Sequence, residues 1–137
     1  MRALFTLPIC LTLCVFLAAC SSDSKLLKVK GTLTHDGKPL RVDPKGSVQI
    51  VFMPVAEEKQ ARNNYPTEMK PEDSSFIVLG RTGAGIPPGK YRITIMQMVP
   101  NPTPEITDMN LQFDAKNSTI IRDITSDAPL VIDLAKP

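Results

Sequence analysis

The chain has 137 residues, a formal net charge of +2 and 42% hydrophobic residues. That is room for one domain with its own core. Its near-neutral balance excludes a nucleic-acid surface, which needs a dense basic patch, and a purely electrostatic hold on anionic lipid. Five per cent aromatic content without tryptophan predicts an aliphatic core, and thirteen prolines against seven glycines predict strands and loops in place of long helices.

Met1 and Arg2 form a short positive start, followed by a mostly apolar run from Ala3 to Val15. The run is shorter than the roughly 20 apolar residues that span a bilayer, and it suits a secretory signal. Leu17-Ala18-Ala19-Cys20 then reads as a lipobox: a large aliphatic residue, two small ones and a cysteine, just before polar sequence. On this reading residues 1–19 are a signal peptide, and Cys20 is the lipidated N-terminus of the mature chain. Residues 20–25 are a polar tether, and 26–137 are the folded domain. Each buried methylene contributes roughly 0.8 kcal/mol, so two or three acyl chains on Cys20 give lasting attachment where one gives only a marginal hold. Ser21, standing where enterobacterial inner-membrane lipoproteins carry Asp, leans towards an outer-membrane destination. Cys10 and Cys14 leave with the signal, so the mature chain has neither an internal disulfide nor a cysteine cluster for metal.

Residues 27–34 alternate, with Leu27, Val29, Gly31 and Leu33 on one face and Lys28, Lys30, Thr32 and Thr34 on the other, which predicts a half-buried strand. His35-Asp36-Gly37-Lys38 contains the Asp-Gly signal of a tight turn. Residues 47–53 form the next expected strand, with Val48, Ile50 and Phe52 inward. Residues 56–71 read as a solvated charged loop, with one helical turn conceivable at 57–62. Residues 75–79 are a short β-rich run, and 80–89, with four glycines and two prolines, are a turn region. Residues 91–98 are the most regular strand, with Tyr91, Ile93, Ile95 and Gln97 sharing a face. Three prolines in 100–104 exclude a central strand, and 105–117 read as a loop that tucks Leu111 and Phe113 into the core. Residues 118–124 and 130–134 are expected to close the fold as a hairpin. The whole reads as an all-β, antiparallel β-sandwich of about seven strands, with Lys28 and Lys30 guarding an edge.

Three stretches carry a family likeness. They are Val29-Lys30-Gly31-Thr32-Leu33-Thr34-His35-Asp36-Gly37-Lys38-Pro39-Leu40 with its following strand, Gly85-Ile86-Pro87-Pro88-Gly89-Lys90-Tyr91-Arg92-Ile93-Thr94-Ile95, and the ending from Asn117-Ser118 to Ile132-Asp133-Leu134. Together they resemble the planctomycete-type small lipoproteins with a carboxypeptidase regulatory-like, transthyretin-like domain. Relatives often place a glycine-bearing Asp-Gly turn before a Phe-containing strand; here Glu72-Asp73-Ser74-Ser75-Phe76 stands in that place without the glycine. The resemblance implies a non-catalytic accessory or adhesion-type module.

Candidate chemistry is sparse. His35, the single histidine, lies in a turn, and a metal ligand or general base needs partners that are not near it in sequence. Glu57, Glu58, Glu72, Asp73 and Glu105 lack calcium-loop spacing. Gly80-Arg81-Thr82-Gly83-Ala84-Gly85 lacks the Lys-Ser/Thr ending of a phosphate loop. Met96 and Met98 are read as packing in the core or on a sheet face, and Lys28 or Lys30 cross-linked to Asn110 or Asn117 has no support in the spacing. The expected function is therefore a membrane-anchored, non-enzymatic envelope module without cofactor or metal. It faces the periplasm or exterior from the cell membrane or outer membrane, and its partner is an envelope protein or glycan. The rival reading is a carbohydrate-binding module, whose sugar-stacking candidates are Tyr65, Tyr91 and the phenylalanines.

Overall fold

The computed structural model describes residues 25–55 and 63–137. Cys20, the signal peptide, most of the tether, Glu57, Glu58 and the conceivable turn at 57–62 lie outside the described residues. The strands are β1 (Lys30–His35), β2 (Lys38–Pro39), β3 (Ser47–Pro54), β4 (Tyr65–Lys70), β5 (Ser75–Val78), β6 (Gly89–Met98), β7 (Ile121–Ile124) and β8 (Leu130–Asp133). One helix, α1 (Pro104–Gln112), lies between β6 and β7. The protein is all-β in its main architecture. A single curled sheet runs β8-β1-β5-β4-β3-β6-β7, with β2 pairing the upper half of β1.

The curl follows from β4. Tyr65 and Pro66 pair with Phe52 and Val51 of β3, whereas Thr67 to Lys70 pair with β5. The strand thus changes partners along its length and folds one half of the sheet over the other. Phe52 of β3 and Phe76 of β5 meet across the interior with ring centroids 6.1 Å apart. The alternation expected for β1, β3 and β6 holds: Leu33, Ile50, Phe52, Ile93 and Ile95 are buried, and burial of such apolar area drives the fold. Residues 65–70, expected to be loop, are strand because Tyr65 enters the core while Pro66, Glu68 and Lys70 stay outside.

Two further expectations are corrected. Residues 118–124 and 130–134 do not pair with each other: β7 joins β6 and β8 joins β1, at opposite ends of the sheet. The connection is drawn across by Asp127, whose Oδ1 accepts the Lys28 N–H at 2.7 Å. β8 runs parallel to β1, the one departure from antiparallel pairing among the described strands, with Gly31 opposite Leu130. A Cβ on Gly31 would fall on the Leu130 carbonyl oxygen, so the bare glycine is what lets β8 close in. β1 is therefore an interior strand, and Lys28 and Lys30 guard no edge.

Residues 104–112 are helix, not loop. Thr103 caps α1, its hydroxyl accepting the Ile106 N–H at 3.4 Å, with Pro104 at the first turn. Leu111 points to solvent while Phe113, just past the helix, is buried. The free edge of β6 beyond β7 is then completed piecemeal: Ile93 N–H donates to Ile120 O, Ile95 N–H to Phe113 O, and Gln97 pairs with the Asn110 side chain.

Candidate functional site

The strand directions define two ends. At one lie Leu27, which bridges Ile86, and the 79–88 and 125–129 loops. At the other lie the Asp36-Gly37 turn, the 71–74 turn and α1. Between them, the outer face of β8-β1-β5-β4 carries a groove with a volume of about 370 Å³.

Cross-strand register builds this groove. One row runs Val131, Thr32, Ser75, Lys70 across β8, β1, β5 and β4; the next runs Lys30, Ile77, Glu68. Val131 is 60% exposed and Ile77 50%, although both stand where an alternating strand puts polar residues. Pro129 and Leu130 extend the apolar lining, and Lys30, Lys70 and Glu68 supply charge. Thr32 and Ser75 offer hydroxyls there, while His35 lines a different cavity, so the groove's own chemistry is that of contact and hydrogen bonding. Sequence reasoning passed over this surface. Its signal is an apolar residue on the solvent face of two strands, Ile77 between Phe76 and Val78 and Val131 between Leu130 and Ile132.

A second cavity, about 390 Å³, lies at the Asp36 end between α1 and the sheet. It brings His35 together with Glu105, one of the carboxylates considered above, and with Asp108, over a floor that includes Leu40, Phe113 and Leu134. Glu105 is held below the ordinary carboxylate range by its own backbone N–H and by the Thr103 hydroxyl. His35 Nδ1 lies 3.6 Å from Asp36 Oδ2, and both side chains are mostly exposed. Among the described residues no three His, Cys, Asp or Glu side chains converge tightly enough to hold a metal ion.

The remaining candidates separate. Glu72 lines a third hollow, with Lys38 and Arg41. Asp73 accepts the Ser75 N–H at 2.9 Å, and its pKa is lowered by the Ser75 hydroxyl and N–H. Met96 and Met98 stand on the outer face of β6, nearly half exposed, so they do not pack in the core. Asn110 is engaged with Gln97, and the Asn117 amide donates to Leu111 O and Asp114 Oδ2. Residues 80–85 turn into the Ile86 bridge and not into a helix. Phe52, Tyr65, Phe76, Tyr91 and Phe113, all the aromatic side chains among the described residues, are buried. No described helix is long and apolar enough to cross a membrane. No family model, no curated protein and no solved structure matches the chain.

Proposed function

We propose that this chain is a membrane-anchored bacterial lipoprotein whose β-sandwich body acts by binding, without catalysis, and presents the groove between β8, β1, β5 and β4 to a component of the cell envelope. The anchor is Cys20 in Leu17-Ala18-Ala19-Cys20, in the cell membrane or outer membrane, with the body facing the periplasm or exterior. The sandwich reading takes β4 as the strand shared by two layers that pack through Phe52 and Phe76, in the manner of the carboxypeptidase regulatory-like, transthyretin-like domains that the sequence resembles.

The observation that carries the binding role is the exposure of Ile77 on β5 and Val131 on β8, the two strands that flank β1, with Lys30 and Thr32 of β1 between them. Exposed apolar side chains that line one groove with a charged rim mark interaction surfaces more often than scattered ones do. The carbohydrate reading lacks a stacking platform, since the described aromatic side chains are all buried. Photo-crosslinking in native envelopes tests the role. A crosslinker at Ile77 or Val131 gives a discrete adduct that Lys30→Glu weakens, whereas one at Gln49, exposed on the other half of the sheet, gives none. Identical adducts from all three positions would remove the groove from the proposal. Mass spectrometry of the N-terminal peptide tests the anchor separately, since a free Cys20 thiol excludes it.

A further inference from the structure

The end of the body nearest the tether differs in character from the opposite end. It gathers the starts of β1, β4, β6 and β8 and the finishes of β3, β5 and β7. Three exposed aliphatic side chains stand there: Leu26 (39%), Val55 (43%) and Leu79 (38%). Their positions are fixed by backbone bonds, with Leu27 N–H to Ile86 O, Val55 N–H to Lys90 O and Leu79 N–H to Pro66 O. The cations Lys25, Lys28, Arg81 and Lys90 are exposed around them. Two carboxylates accompany them, Asp123 opposite Lys90 in the ladder and Asp127 bonded to the Lys28 N–H. Residues 56–62, which join Val55 to Asn63, carry two acids and two bases, and the tether adds Asp23, so the balance keeps a small positive excess. The opposite end holds Asp36, Asp43, Glu72, Asp73, Glu105, Asp108 and Asp133, against the cations Lys38, Arg41, Lys45, Lys70 and Lys136. The body therefore carries a small positive excess at the end towards the tether and a small acidic excess at the end away from it.

We infer that this end is a lipid-contacting surface: Leu26, Val55 and Leu79 touch the interface of a bilayer, and Lys25, Lys28, Arg81 and Lys90 face its anionic headgroups. The inference rests on the anchor at Cys20 proposed above. Lys25 follows Cys20 by five residues, which reach roughly 17 Å when fully extended. An acylated Cys20 thus keeps this end close to the headgroups, within a distance that surface charge and a few apolar contacts can close. Docking fixes the orientation of the body and turns the acidic end, with its His35 cavity, outward.

The acylated protein purified from membranes allows a direct test. Its only cysteine after processing is the modified Cys20, so a cysteine introduced at Leu79 takes a polarity-sensitive fluorophore alone. In phosphatidylcholine vesicles containing phosphatidylglycerol, the emission of Leu79→Cys shifts to the blue and rises severalfold, and doxyl-lipid quenches it. A label at Lys38→Cys, at the far end, stays aqueous. Lys28→Glu with Arg81→Glu removes the response at position 79. An aqueous spectrum at position 79 in both kinds of vesicle overturns the inference, and an equal shift in pure phosphatidylcholine overturns the preference for anionic lipid. A response that grows with protein density assigns the surface to a second copy instead. Failure of the anchor reading looks different: the protein then leaves the vesicles altogether and its N-terminal peptide carries no acyl chain.

Discussion

The Asn110 carboxamide meets the main chain of Gln97 in both directions: its Oδ1 accepts the Gln97 N–H at 2.7 Å, and its Nδ2 donates to the Gln97 carbonyl at 2.8 Å. A side-chain amide thereby reproduces the two-bond exchange of an antiparallel pair on the edge of β6 away from β3, where no strand lies beside Gln97. Asn110→Ala leaves both groups of a buried residue without these partners. It should cost about 1–3 kcal/mol, read as a lower urea midpoint with unchanged slope. Asn110→Asp keeps the acceptor but sets a carboxylate against the Gln97 carbonyl, so it should fall below wild type as well.

Asp133 ties the parallel strand to the first turn. Its carboxylate accepts the N–H groups of Asp36 (3.0 Å), Gly37 (2.9 Å) and Ala135 (3.0 Å), and these bonds, with Ala135 foremost, hold its pKa below the ordinary 3.8. A carboxylate depressed in the folded state stabilises above the unfolded value, and the benefit is lost as pH falls through the folded one. Asp133→Asn should therefore be less stable than wild type at neutral pH. The gap should narrow below about pH 4, as followed by thermal unfolding across an acid series.

Tyr91 behaves in the opposite sense. Burial, with Tyr65 beside it, pushes its phenol up to about 12, and the hydroxyl donates to Pro87 O at 2.6 Å. The unfolded chain ionises near 10, so the stability that this phenol contributes is full below that pH and declines towards about 12. Tyr91→Phe should cost about 1 kcal/mol at neutral pH through the lost bond. It should also unfold with a shallower alkaline dependence than wild type, measurable by circular dichroism between pH 9 and 12.

Ser74 sits at φ +57°, in the left-handed region that glycine fills without penalty. Its hydroxyl donates to Leu40 O at 2.6 Å, which compensates the backbone. Ser74→Ala keeps the strained backbone and loses the bond, so it should destabilise by about 1–2 kcal/mol. Ser74→Gly loses the bond but relaxes the backbone, and its melting temperature should lie above that of the alanine variant. The reverse order would remove φ strain from the account.

Strand alternation, the Asp-Gly turn and the proline-rich breaks were legible in the chain because each is a local rule. Period-two burial puts Leu33, Ile50, Phe52, Ile93 and Ile95 inside wherever the strands pair, and φ values of +51° and +73° at Asp36 and Gly37 are what that dipeptide favours in a two-residue turn. The start of α1 was also written locally, in Thr103-Pro104-Glu105, but three nearby prolines masked it as loop. The groove and the pairing of β8 were not legible, because both depend on which strands become neighbours. Val131 and Ile77 are unremarkable apolar residues until β8 crosses to β1, and that crossing depends on Asp127 reaching Lys28 and on Gly31 admitting the Leu130 carbonyl. Local periodicity thus determined β1, β3 and β6 and their buried faces by itself. Long-range hydrogen bonds and steric fit between residues about a hundred positions apart decided where β8 pairs, and with it which surface is left exposed.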